Sequence, residues 1–450
     1  MADWDQDHTT PLARQAAMAV VTHLRGQGHE ACFAGGCVRD ELLGLTPGDY
    51  DVATDATPDR LAALFRGARL VGAKFGVVQV RRLGVWTEVA TFRSDGSYSD
   101  SRRPDTVTFS TPQSDAERRD FTINALFLDP LADRGDWTLR PNGQPVHGRV
   151  IDLVGGLADL KAGVLRAVGP PHRRLAEDHL RALRAVRFAA RLGFEIEPDT
   201  AHAIAERAGQ LVGISRERIG GEMRQMLGHP TRTKAASLTE MLGLDAPAFE
   251  QEPRGAGLGH PRLSHLPGDA DFTAALAAWM LDRGHGLVGA EVPSLAAQVR
   301  AALCLSNEEH AAITHCLNRR LSILEEFVGL DKAGQKRLAA SAGFELALGI
   351  VDAESPDLAR EIASRVSALA AEPGGLAPDR WVSGSDLLDL GWQPSPVFAR
   401  ILEDLYNLQL GGEVADRAAL LEHLARLSVE QEGSARTDGA DPNENRIGPG

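Results

Sequence analysis

The chain is short of cysteine, of tyrosine and of positive charge, and each shortage narrows what it can be. Its four cysteines, Cys32, Cys37, Cys304 and Cys316, form no CxxC pair. They read as free thiols of a cytoplasmic protein rather than as a disulfide framework. Three tyrosines, within an aromatic content of 5%, argue against a single-strand binder built on stacked rings. No apolar run reaches the roughly 20 residues needed to span a bilayer, so no membrane partner is expected. The first stretch, MADWDQDHTTPLARQ, is acidic and polar and is no secretory signal. A net charge of −14 excludes a uniformly basic nucleic-acid coat. It leaves a local basic groove open, because residues 161–224 hold twelve Lys/Arg against eight Asp/Glu.

What is present is ordinary for a globular protein: 43% hydrophobic and 24% charged residues. At 450 residues the chain is too long for one core, and three or four domains are expected. Strands and helices alternate to about residue 130. Residues 11–26 read as an amphipathic helix, EACFAGG as a strand, VRDELLGL as a short helix, and VVQVRRLGVWTEVATFR as two strands turning at Gly84. From Ala158 the pattern is almost wholly helical, with AEDHLRALRAVRFAARLGF read as one helix ended by Gly193. Residues 251–272 and 370–379 are Gly/Pro-rich breaks, and residues 431–450 form a polar tail expected to be disordered.

The chemistry begins in AGGCVRDELLGLTPGDYDVAT. Asp49 and Asp51 stand at i and i+2, so on a strand both carboxylates face one way. Two carboxylates held together call for a cation, and magnesium takes one or two of them together with phosphate oxygens. Gly35 and Gly36 let backbone N–H groups approach a phosphate, the helix beginning near Val38 adds its dipole, and Arg39 offers a guanidinium fork. Together these parts suit a metal–triphosphate and an attacking hydroxyl. Arg118 and Arg119, in RRDFTINA, read either as a solvated turn or as triphosphate contacts. Arg181, Arg184 and Arg187 make a stripe beside the apolar Leu180, Leu183 and Val186. Asp178 and Arg181, one turn apart, read as a helical salt bridge or as a donor–acceptor pair for the Watson–Crick edge of a base.

These stretches, in this order, resemble the class II nucleotidyltransferases: CCA-adding enzymes, their A-adding and CC-adding relatives, and bacterial poly(A) polymerases. The resemblance covers residues 18–225 and rests on GGCVRDELLG…DYDVAT, TFRSDGSYSDSRRPDTVTF, RRDFTINAL, IDLVGGLADLKAGVLRAVGPPHRRLAEDHLRALRAVRFAARLGF and SRERIGGEM. It implies an α+β fold, with a palm-like nucleotidyltransferase head of mixed β-sheet and helices (1–150) and an all-α neck (151–228), body (229–370) and tail (371–430). It implies that Asp49 and Asp51 bind magnesium and that Glu88 is a third carboxylate near them. Gly35, Gly36, Arg39 and Arg119 would hold the triphosphate. Asp178 and Arg181 would read the base, with Arg184 and Arg187 completing the pocket. The implied activity is template-independent addition of CCA to the 3′ end of tRNA from CTP and ATP.

SDGSYSDSRRPDTV matches the flexible loop that such enzymes need to switch from C to A. VGAKFGVV (71–78) stands where poly(A) polymerases carry an arginine-rich stretch, and residues 381–412 resemble a tRNA-binding tail, with PSPVFA departing from the usual PGP. No His-Asp dipeptide is present, so no phosphohydrolase activity is expected. His260, His265, Asp269 and Asp271 read as a polar loop, and Cys304, His310, His315 and Cys316 as helix residues, rather than as metal clusters. The rivals are an A-adding enzyme or poly(A) polymerase of the same family, and a catalytically silent RNA-binding protein, which has no use for two metal carboxylates.

Overall fold

A computed structural model describes residues 10–96, 106–132, 146–253, 259–284, 291–390, 392 and 396–426. The polar tail 431–450, most of the flexible loop and part of PSPVFA lie outside them. The chain divides into two compact units: residues 1–259 with 301–304, and residues 260–300 with 305–450.

The first unit opens with α1 (Thr10–Gly26), β1 (Ala31–Ala34), α2 (Gly36–Leu43), β2 (Asp51–Thr54), α3 (Pro58–Leu64), β3 (Val77–Arg82) and β4 (Val85–Thr91). It continues through β5 (Arg93–Asp95), β6 (Val107–Phe109), α4 (Pro112–Glu117), β7 (Phe127–Asp129) and β8 (Arg149–Ile151). Six strands form one mixed sheet in the order β3-β4-β2-β1-β7-β8, in which only β2 and β4 run parallel. β1 reads ACFA without alternation because it is central and buried along its whole length. α1 packs Ala16, Ala17, Val20, Val21 and Leu24, all fully buried, against the sheet. The β3–β4 hairpin turns at Leu83 and Gly84, both with positive φ (50° and 83°), which matches the right-handed strand twist. The described flanks of the flexible loop pair as β5 and β6.

The rest of this unit is helical: α5 (Gly156–Ala162), α6 (Pro171–Glu177), α7 (Arg181–Leu192), α8 (Pro198–Glu206), α9 (Arg216–Leu227), α10 (Arg232–Met241) and α11 (Asp245–Phe249), with a two-residue parallel pair, β9 (Val164–Leu165) and β10 (Glu195–Ile196). α7 packs against α9 and α10 and stops at Gly193, whose φ is 74°. The expected single helix through Asp178 is broken. Asp178 is extended (φ −154°, ψ 105°), and its carboxylate accepts from the Leu180 N–H at 3.1 Å. A short carboxylate side chain that bonds its own backbone two residues on competes with the helix and restarts it at Arg181.

The second unit is all-helical among the described residues. It holds α12 (Pro261–His265), α13 (Phe272–Asp282), most of α14 (Val292–Leu303), α15 (Asn307–Glu325), α16 (Lys332–Ala339), α17 (Phe344–Glu354), α18 (Pro356–Ala370), α19 (Gly384–Asp389), α20 (Pro396–Gly411) and a last run over 417–426. The expected break at 251–272 thus contains α12. α13 is buried on every side, and a satellite core of Val382, Leu387, Ile401, Leu405, Leu420 and Leu424 closes the C-terminal helices. His265 bonds Asp352 at 2.6 Å and Asp271 caps α13, so these polar residues are used locally. Among the described residues no three His, Cys, Asp or Glu gather as a metal site, and no helix is long and apolar enough to cross a membrane.

Candidate active site

The glycine pair has a steric purpose. Gly35 sits at φ 77°, ψ −126°, a conformation closed to residues with a Cβ, and its N–H donates to the Leu126 carbonyl at 2.9 Å. A Cβ there would lie 2.7 Å from Arg119 Nη1. Gly36 begins α2, whose first-turn N–H groups lack intrahelical partners.

Asp49 precedes β2 and Asp51 is its first residue. Tyr50 between them is buried and donates its hydroxyl proton to Glu41 at 2.7 Å, so the two aspartates share the opposite side. The parallel register Val52↔Val89 places Glu88 level with Asp51. Burial pushes the Asp51 carboxyl up to about 7, the charges of Asp49 and Glu88 add to the rise, and Arg119 opposes it.

Facing these carboxylates is an arginine wall in which most members are pinned. Arg39 donates to Asn124 Oδ1 at 2.5 Å and pairs with Asp40 at 2.7 Å. Arg119 pairs with Asp115 at 3.0 Å and donates to the Asn124 carbonyl at 3.1 Å. Arg184 reaches Asp120 at 2.8 Å, and Arg187 reaches Glu222 at 2.6 Å. Asp120 is half-buried, and its desolvation alone would raise its carboxyl, yet Arg184 and the Asn124 amide hold it down at about 2. The Phe188 ring lies under three guanidinium groups, those of Arg187 (4.4 Å), Arg39 (5.0 Å) and Arg184 (5.2 Å).

One cleft of about 610 Å³ gathers Gly35, Gly36, Arg39, Asp49, Asp51, Arg119, Asp178, Arg181, Arg184 and Arg187. Glu88 is the expected residue left out of its lining; its carboxylate accepts from Gln79 Nε2 at 3.3 Å beside the cleft floor. Asp178 and Arg181 both line the cleft but do not pair with each other. Arg218 holds Asp178 at 2.6 Å, while Glu177 holds Arg181 at 2.7 Å. The cleft is also lined by Asp120, Asn124, Phe188 and Arg191, which the sequence pattern did not single out. Asp120 stood directly after the arginine pair and Phe188 within the arginine stripe, and those positions were the available signal.

The donor set suits a divalent cation. The negative charge that raises the proton affinity of Asp51 raises its cation affinity for the same reason. Opposite it, a cluster of guanidinium groups suits a polyphosphate.

A family model described as "Poly A polymerase head domain" matches residues 31–166, and one described as "Probable RNA and SrmB- binding site of polymerase A" matches residues 193–246. The CCA-adding enzyme of Geobacillus stearothermophilus is 41% identical over 233 residues, 52% of this chain; there the chain spans 54% of that relative's length. The CCA-adding enzyme of Lacticaseibacillus paracasei is 32% identical over 418 residues, covering 91% of this chain and 96% of that one. Among solved structures, the Bacillus stearothermophilus CCA-adding enzyme in complex with CTP is similar at TM-score 0.70 and 28% identity, over 93% of this chain and 98% of that one. The Thermotoga maritima CCA-adding enzyme complexed with tRNA shares the fold at TM-score 0.63 and 21% identity, over 94% and 96%. A relative 32% identical and matched across nearly its whole length, together with a head-domain model over residues 31–166, places the chain in the class II nucleotidyltransferase family of CCA-adding enzymes and poly(A) polymerases.

Proposed function

We propose that the chain is a cytoplasmic, template-independent nucleotidyltransferase that adds CCA to the 3′ end of tRNA from CTP and ATP. The observation that carries this is the single cleft in which Asp49 and Asp51 face Arg39, Arg119, Arg184 and Arg187. We read residues 1–150 as the catalytic head, 151–228 as the neck that reads the base, and 229–370 and 371–430 as the body and the tRNA-binding tail.

Magnesium held by Asp49 and Asp51 would lower the pKa of the attacking 3′ hydroxyl and offset charge on the phosphates. Gly35 and Gly36 keep side chains away from the triphosphate, and Arg39 and Arg119 hold it by its oxygens. The hydroxyl gives up its proton to solvent, its oxygen bonds to the α-phosphorus, the bond from that phosphorus to the α–β bridging oxygen breaks, and pyrophosphate leaves against the arginine wall. Asp178 accepts from the exocyclic amine of cytosine or adenine while Arg181 donates to the neighbouring ring nitrogen. Each keeps spare capacity beyond its present partners, Arg218 and the Leu180 N–H for Asp178 and Glu177 and the Arg174 carbonyl for Arg181, since a carboxylate offers about four acceptor sites and a guanidinium five donors. Protein hydrogen bonds therefore choose the base, and basic residues recognise the tRNA by shape.

Transcripts of tRNA ending before CCA, after C and after CC, given magnesium with CTP, ATP or both, test the reading. Full CCA on the shortest transcript supports it. Addition of A alone to the CC-ending transcript makes the chain an A-adding enzyme, and long A tails on any RNA make it a poly(A) polymerase.

A further inference from the structure

Arg60 to Thr87 contains six Lys/Arg and no Asp/Glu, in a chain whose net charge is −14. These cations are Arg60, Arg66, Arg69, Lys74, Arg81 and Arg82. None of them forms an ion pair with a carboxylate among the described residues, whereas Arg39, Arg119, Arg184 and Arg187 are each pinned by one nearby or by an amide. Unpaired guanidinium groups held together cost electrostatic energy unless an anion joins them.

Two of the six are organised around a ring. Arg69 lies over Trp86 at 4.1 Å and Arg81 at 5.8 Å. Trp86 pairs with Arg81 across the hairpin, and Gln79 with Glu88. On alternating strands, Trp86 and Glu88 point to the same side of the sheet, and Thr87 and Val89, both buried, point to the other. Glu88 is level with Asp51 and raises its carboxyl. The Arg69–Trp86–Arg81 cluster therefore lies on the catalytic face of the sheet, about 7 Å along β4 from the residue beside Asp51, at two residues' rise.

Building on the proposed function, we propose that Arg69, Trp86 and Arg81 form a platform for the sugar-phosphate backbone of the tRNA acceptor end, just upstream of the 3′ hydroxyl. The two guanidinium groups contact phosphates, and the indole holds both in place while offering an edge for a base. The chemistry matches the occupant: the hydroxyl of an RNA end has to reach Asp51 on this same face, and exposed cations without carboxylate partners around a ring fit a polyanion that carries bases. The nucleoside triphosphate is held elsewhere, by Arg39 and Arg119, so the platform serves the RNA alone.

The test compares wild-type protein with Arg69→Glu/Arg81→Glu and with Arg69→Lys/Arg81→Lys, on a tRNA transcript ending before CCA. The charge-reversed protein is expected to raise the Kd and KM for the transcript tenfold or more while KM for CTP stays within twofold. Its plot of log Kd against log salt should be shallower by about two, because each phosphate contact contributes about one to that slope. The lysine pair should restore most of the affinity. Trp86→Ala should weaken transcript binding more than Trp86→Phe. Unchanged transcript Kd and KM in the charge-reversed protein, with wild type extending the transcript, would overturn the platform and leave the proposed function standing. Wild-type protein that neither binds nor extends the transcript would overturn both.

Discussion

Asp178 is held by Arg218, at 2.6 Å, and not by Arg181 three residues away. The carboxylate proposed to read the base is thus aimed from α9, a helix that does not otherwise line the cleft. Removing Arg218 should let Asp178 turn. Arg218→Ala is expected to lower kcat/KM for both CTP and ATP by about ten- to a hundredfold, the range of a charge-assisted hydrogen bond. The loss should fall mainly on KM, and Arg218→Lys should recover part of it. Steady-state kinetics at saturating tRNA would decide it, and unchanged KM values for both nucleotides would reject the role.

Gly35 should tolerate no side chain. Its φ of 77° with ψ −126° strains any residue with a Cβ, and that Cβ would meet Arg119. Gly35→Ala is expected to cost about 1–3 kcal/mol of stability and to displace the arginine as well. Thermal melts and nucleotide titration should therefore shift together, whereas Gly209→Ala, where a Cβ meets nothing, should change neither.

Asp120 gives a pH signature. Its carboxyl is held at about 2 in the folded chain, despite partial desolvation, by Arg184 and Asn124. A carboxyl depressed on folding stabilises the folded state above its unfolded pKa of about 4 and loses that contribution as pH falls through about 4 toward 2. The difference between about 4 unfolded and about 2 folded corresponds to about 2–3 kcal/mol at neutral pH. Asp120→Asn should be less stable than wild type by about that amount at pH 7, and urea titrations should see the gap narrow below pH 4. A gap independent of pH would show that the ion pair contributes nothing through charge.

The sequence made the floor of the cleft readable because its signals are local. A GG pair, an i, i+2 carboxylate pair and a glycine-ended helix each follow from backbone geometry within a few residues. Asp120 and Phe188 were marked only by their neighbours in the chain, and Asn124 not at all, because partners that give them importance, Arg184 for Asp120 and Arg39 for Asn124 and Phe188, are distant in sequence. The break at Asp178 was missed because AEDHLRALR is free of proline and glycine and reads as unbroken helix, while a side-chain bond to the backbone interrupts it. Glu88 could be placed beside Asp51 only once the parallel register of β2 and β4 was known.

Asp49 and Asp51 are proposed to carry nucleotidyl transfer to tRNA. The most direct measurement is incorporation of labelled CTP and ATP into a tRNA transcript ending before CCA, with magnesium, by wild type, Asp49→Ala and Asp51→Ala, alongside transcript binding by each. Wild type is expected to complete CCA. Each variant is expected to fall by at least about a thousandfold, roughly 4 kcal/mol of lost transition-state stabilisation, while binding the transcript as wild type does. Incorporation that persists in Asp51→Ala, or wild type that extends no transcript, would contradict the claim.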